Sequence, residues 1–179
     1  MSTTLFKRKS IRLKDYDYQQ PGSYFLTICV QDRECLFGDV VDGEMRLNQY
    51  GEIVMRCWND LPHHYPNVAL DVCVVMPNHF HGVVTLTENH GSNSGVGAGL
   101  KPAPTSKKRH GLSEIVRAFK TFSSRKINAL RNTPGIPVWQ RNYFERVVRN
   151  ENELFEIREY IQQNPLKWDL DPENPNVKA

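Results

Sequence analysis

The sequence predicts an α+β domain, and three observations carry that expectation. Runs rich in β-branched residues and bounded by turn chemistry recur at 23–30, 70–75 and 82–86. Apolar residues at helical spacing recur at 51–61, 113–131 and 150–164. An Asp42-Gly43 turn joins two short strand-like runs, a strong hairpin signal.

In chain order, a basic arm of about 1–15 carries Lys7, Arg8, Lys9, Arg12 and Lys14, and Ser23 to Val30 follows as a central strand. Leu36 to Val41 and Glu44 to Leu47 form the hairpin, with Asp42-Gly43 suited to a type I′ turn. Gly51 to Leu61 is a helix, with Ile53, Val54, Cys57, Trp58 and Leu61 on one face and Pro62 and Pro66 closing it. Leu70 to Val75 is a strand, Pro77-Asn78 a turn, and Gly82 to Leu86 continues the strand beyond it. Residues 88–110, rich in Gly, Ser and Pro, read as a flexible insertion without chemistry. Ser113 to Arg131 is a second helix, with Leu112 as a staple residue. Ile115, Val116, Phe119, Phe122, Ile127 and Leu130 turn inward and basic residues outward, which gives this helix an outward basic face. A proline turn at 134–137 leads through Val138 to Gln140 into a basic segment ending at Arg149. Asn150 to Asn164 is the last helix, with Leu154, Ile157 and Ile161 as its core stripe, and about 169–179 is a short tail. Helices on one face of an antiparallel sheet make a ferredoxin-like, RRM-like arrangement, expected as a single domain over 1–179.

No apolar run in the 179 residues is long enough for a membrane span or signal peptide, so a cytoplasmic protein is expected. Cys29, Cys35, Cys57 and Cys73 form no Cys-x-x-Cys pair and read as reduced thiols. The net charge of +3 conceals an asymmetry. From Lys101 to Arg149 twelve Lys or Arg face only Glu114 and Glu145, whereas Glu151 to Ala179 holds seven acids and three bases. Basic residues interleaved with Phe119, Phe122, Trp139 and Tyr143 favour a nucleic-acid partner over a merely solvated surface. Lys7, Arg8, Lys9, Arg12, Lys120, Arg125, Lys126, Arg141, Tyr143, Arg146 and Arg149 are the candidate DNA contacts.

The most informative stretch is Met76-Pro77-Asn78-His79-Phe80-His81. Side chains of a strand alternate faces, so His79 and His81 project together and Phe80 opposite. That spacing suits a metal ion or a hydrogen-bonded imidazole pair, and alone it leaves both open. Tyr160 and Asn164 lie four apart on the last helix, which stacks a phenol over a carboxamide. The residue before Pro165 is expected to leave helical geometry. Taken alone, Tyr160 reads as packing and Asn164 as a cap.

In combination the segments resemble the REP-associated tyrosine transposases, relatives of the single-tyrosine insertion-sequence transposases in the HUH endonuclease superfamily. The resemblance rests on Val75 to His81, on Trp139-Gln140-Arg141-Asn142-Tyr143-Phe144-Glu145-Arg146 and onward to Asn150, and on Tyr160-Ile161-Gln162-Gln163-Asn164-Pro165 through Trp168. It implies that His79, His81 and Asn164 ligate a divalent ion, Mg²⁺ or Mn²⁺, and that Tyr160 is the nucleophile. Asn rather than Gln at 164 points to the REP-associated branch. The implied activity is that of a transposase-like endonuclease and strand transferase. It acts on single-stranded or hairpin DNA of palindromic repeats through a 5′-phosphotyrosine intermediate, which conserves bond energy for rejoining. The alternative is a structure-specific DNA-binding protein of the same fold that needs no cleavage. Related transposases can exchange the tyrosine helix within a homodimer, so Tyr160 is expected to meet His79 and His81 within one chain or across a two-fold axis.

Overall fold

A computed structural model describes residues 17–88 and 110–177. The basic arm with Lys7, Arg8, Lys9 and Arg12, and all but the two ends of the expected flexible insertion, lie outside the described residues.

The element that organises the sheet is β1, Gly22–Cys29. Its even-numbered residues Tyr24, Leu26 and Ile28 enter the larger core, while Phe25 enters a smaller one on the other face. Both faces of β1 are therefore covered, which is why its sequence is a nearly continuous apolar run rather than a strict alternation. Beyond it come β2 (Gly38–Val41) and β3 (Glu44–Leu47), paired only with each other. Asp42 and Gly43 have φ of 55° and 75°, the two positive values of a type I′ turn. Helix α1 (Gln49–Asn59) begins where the Asn48 carboxamide accepts from the backbone N–H of Tyr50 and Gly51. A single turn, α2 (Leu61–His64), leads to β4 (Val68–Val75) and β5 (His79–Leu86). Helix α3 spans Leu112–Leu130, β6 Phe144–Val148 and α4 Glu151–Gln163, followed by a 3-10 helix at Pro165–Leu170.

The four-stranded sheet has the order β4-β5-β1-β6, with every pairing antiparallel. With α1 and α3 on one face, this is the ferredoxin-like arrangement, and α4 is added on the opposite face. Residues of α1, α3 and the sheet interlock on the first face: Trp58 lies tilted against Phe80, and Phe119 contacts Trp58, Phe80 and Trp139. Gly82 is needed at this junction, since a Cβ would lie 2.8 Å from the Phe80 ring and 2.9 Å from Trp58. On the other face Leu154, Ile157 and Ile161 of α4 pack against Phe25 and Val83.

Several expectations change. Phe122 and Leu130 are 51% and 47% exposed, not inward, because α3 buries a narrower stripe that runs Ile115, Val116, Phe119, Ser123 and Ile127. Leu112 is the first helical residue and fully buried rather than a staple outside the helix. The segment before Arg149 contains a strand, β6, which the sequence reading passed over. Asn164 keeps helical geometry, φ −59° and ψ −43°, in spite of Pro165. The chain turns directly into the 3-10 helix there, and proline occupies its first turn, where no backbone N–H is needed.

Candidate active site

The alternation of β5 sends His79 and His81 to the face under α4, while Phe80 enters the core between α1 and α3. The two imidazoles lie with ring centroids 4.6 Å apart, and both are buried. A neighbour fixes the tautomer of His79. The Asn78 amide nitrogen donates to the carbonyls of Arg33 (3.2 Å) and Glu173 (2.6 Å), so its oxygen faces His79 Nδ1 at 2.9 Å. His79 Nδ1 therefore carries the proton and its Nε2 presents a lone pair. His81 Nδ1 lies 2.9 Å from Thr27 Oγ1, the residue directly opposite it on β1, and its ring stacks on Phe25.

Helix α4 brings the second half of the site to this face. Asn150 caps it by accepting from the Glu153 N–H, and the Glu153 carboxylate reaches back to the Arg149 N–H. Across the sheet, Arg158 grips Asp71 with two nitrogens. Tyr160 is thereby placed with its hydroxyl 3.4 Å from His81 Nε2 and its ring edge-on to Phe25. Asn164, buried one turn further on, has its carboxamide beside both His79 and Tyr160. Tyr160, His79, His81 and Asn164 are thus brought together within one chain.

One contributor escaped the sequence reading. Asp171, in the segment read as a tail, is 8% exposed, and its Oδ2 lies 3.8 Å from His79 Nε2. The turn after the 3-10 helix holds it: Asp171 donates its N–H to the Trp168 carbonyl, and Asp171 Oδ1 accepts from the Glu173 N–H. No spacing rule joins residue 171 to residue 79, so the only local signal was an Asp after a proline-led turn.

Electrostatics prepare the imidazoles as neutral donors. Burial holds both histidines below the usual imidazole range, well below it for His81, where the neighbouring His79 adds to the effect. Burial and then the Asp171 charge raise the Tyr160 phenol above its ordinary value. Cys29, beside the site and 3.7 Å from Glu173, is pushed up to about 12 by burial and that carboxylate, so in the metal-free chain it is a protonated thiol.

His79 Nε2 and Asn164 Oδ1 are buried and have no hydrogen-bond partner. Lone pairs facing one another without a donor are costly unless a cation lies among them. Nitrogen and amide-oxygen donors suit a divalent ion such as Mn²⁺. Among the described residues no group of three His, Cys, Asp or Glu side chains is arranged to hold an ion, so such a site depends on the Asn164 amide.

A cleft of about 1150 Å³ opens from Tyr160 and His81 between the 140–145 segment and α3. Arg141 and Tyr143 line it as the sequence suggested, joined by Arg33 and Arg117, which the sequence reading missed. The other candidates are placed differently. Lys120 lines the cleft but donates to the carbonyls of Gln140 (2.7 Å) and Arg141 (3.0 Å). Arg125 is exposed, and Lys126 lies on the α1 side with Ile53 and Arg56. Arg146 pairs with Glu153, and Arg149 is exposed beside the α4 cap. Among the described residues no helix is long and apolar enough to cross a membrane.

No family model matches the chain. An uncharacterized protein of Haemophilus influenzae is 39% identical over 166 residues, covering 92% of this chain and 91% of that protein. A candidate REP-associated tyrosine transposase of the same organism is 24% identical over 151 residues, covering 84% of this chain and 74% of that one. The fold matches the structure of a REP-associated tyrosine transposase bound to a REP hairpin with a TM-score of 0.59. That match has 19% identity and covers 88% of this chain and 74% of the other.

Proposed function

We propose that the chain acts as the REP-associated tyrosine transposases it resembles in sequence and fold, nicking and rejoining single-stranded or hairpin DNA through Tyr160. The observation that carries this reading is the meeting of four polar side chains from β5 and α4 in one chain, with the Tyr160 hydroxyl 3.4 Å from His81 Nε2 at the mouth of the cleft.

His79 Nε2, His81 Nε2 and Asn164 Oδ1 would hold Mg²⁺ or Mn²⁺. When bound, the ion supplies Lewis-acid polarisation of the scissile phosphate and a template for its oxygens. The residues do the rest. Asn78 and Thr27 hold the imidazoles in orientation through their Nδ1 atoms. Tyr160, 46% exposed, faces both the site and the cleft from a rigid helix, which keeps the attacking oxygen close to a bound phosphodiester. Attack by the phenol oxygen on phosphorus forms the phosphotyrosine bond and breaks the bond to the 3′-oxygen. The phenol proton leaves to water in the cleft, and the released 3′-oxygen takes up a proton. Reversal by a 3′-hydroxyl rejoins the strand without an energy source. Arg117 and Arg141 in the cleft suit the DNA backbone, and Tyr143 offers a ring for base stacking.

The alternative of a binding protein without required cleavage is separated by one experiment. With Mn²⁺ and a hairpin substrate carrying a single-stranded flank, the unsubstituted chain should form a covalent protein–DNA adduct, and Tyr160→Phe should bind the hairpin equally well but form none. Adduct formation by Tyr160→Phe would move the nucleophile elsewhere.

A further inference from the structure

We infer that Asp171 is the charge-compensating carboxylate beside the cation site, supplying from just outside the donor set the negative charge that its neutral groups lack. This rests on the reading that His79, His81 and Asn164 hold an ion. Two imidazoles and an amide bring no negative charge, yet His79 is fully buried and Asn164 nearly so. A hard divalent ion enters such an environment only at a large desolvation cost unless a carboxylate is at hand.

Asp171 is built for that position. Its Oδ1 is taken by the Glu173 N–H at 2.7 Å, which leaves Oδ2 facing His79 Nε2 at 3.8 Å. The turn that carries it is fixed twice more, by the Asn174 amide donating to the Trp168 carbonyl at 2.9 Å and by the Asn174 N–H donating to the Asp171 carbonyl. Trp168 in turn lies 6.0 Å from the His79 ring. His79 cannot satisfy the carboxylate by hydrogen bonding, because its proton is on Nδ1, held by Asn78. A carboxylate oxygen, an imidazole lone pair and the partnerless Asn164 Oδ1 therefore converge with no donor among them. Glu173 beside them differs, since Arg33 neutralises it at 3.1 Å.

The test is an Mn²⁺ titration of the full chain without DNA, reading free Mn²⁺ by electron paramagnetic resonance, with thermal melting to confirm folding. Asp171→Asn keeps an oxygen for the Glu173 N–H and should bind Mn²⁺ about 10- to 100-fold more weakly than the unsubstituted chain. Asp171→Glu, which keeps the charge, should bind more tightly than Asp171→Asn, and Glu173→Gln should stay near the unsubstituted affinity. Unchanged binding by Asp171→Asn, or equal weakening by Glu173→Gln, overturns the role of Asp171 alone. Absence of Mn²⁺ binding by the unsubstituted chain overturns the ion reading and this inference with it.

Discussion

At the scale of the residue, burial has made His79 and His81 poor bases and available lone-pair donors. Their depressed pKa values also tie folding to pH. An unfolded chain protonates these imidazoles near the ordinary 6.5, whereas the folded chain resists until lower pH. Between those values the unfolded state holds more protons, so stability falls as pH falls below about 6.5, by at most about 1.4 kcal/mol per pH unit for each proton. Thermal melting of the metal-free chain from pH 7.5 to 5 should show that decline, and His81→Gln should flatten it; an unchanged slope would contradict the assigned burial effect. The His-x-His pair was legible in sequence because strand alternation is local. Asp171 was not, because the 3-10 helix and the turn after it bring it across the sheet to His79.

At the scale of the element, α4 decides whether Tyr160 meets the imidazoles. Its hold on the sheet comes from Leu154, Ile157 and Ile161 and from the Arg158–Asp71 pair, whose guanidinium keeps the Asp71 carboxyl below its ordinary range. Ile161 is fully buried next to Tyr160 in sequence, so Ile161→Ala should cost about 2–4 kcal/mol. It should also lower adduct formation more than hairpin binding, a split that denaturant titration and gel shift together would check. The stripe of α4 was readable because Leu154, Ile157 and Ile161 keep helical spacing among charges, while Phe155 falls off that spacing and is exposed. That of α3 was over-read, since Phe122 and Leu130 also fall at helical intervals but point to solvent. Phe122→Ser should therefore change stability by no more than about 0.5 kcal/mol; a loss of several would restore it to the core. Strand β6 was hidden because its one buried position is Glu145, a charged residue, while Phe144 and Arg146 are turned outward.

At the scale of the whole molecule, charge clustering in sequence pointed to a polyanion, but the fold sorts those charges onto different surfaces. Arg117 and Arg141 stand in the cleft that leads to Tyr160, and Lys126 stands with Arg56 on the α1 side. Lys120 is half-buried with its amine spent on the 140–141 carbonyls, and burial lowers its pKa. Sequence points toward a polyanion because charge clusters are visible along the chain, whereas the candidate contact residues depend on the face of the fold that each occupies. Counterion release gives a direct way to tell them apart, because each phosphate contact contributes about 0.7 to 0.9 to the slope of log K against log salt. Arg117→Gln and Arg141→Gln should each reduce that slope by nearly one unit for a hairpin with a single-stranded flank. Lys126→Gln should leave it unchanged. Lys120→Met should weaken binding by loosening the 140–141 segment rather than by removing a phosphate contact, and so should lower affinity at every salt concentration with little change in slope. Equal slopes for Arg117→Gln, Arg141→Gln and the unsubstituted chain would place the DNA away from the cleft and separate it from Tyr160.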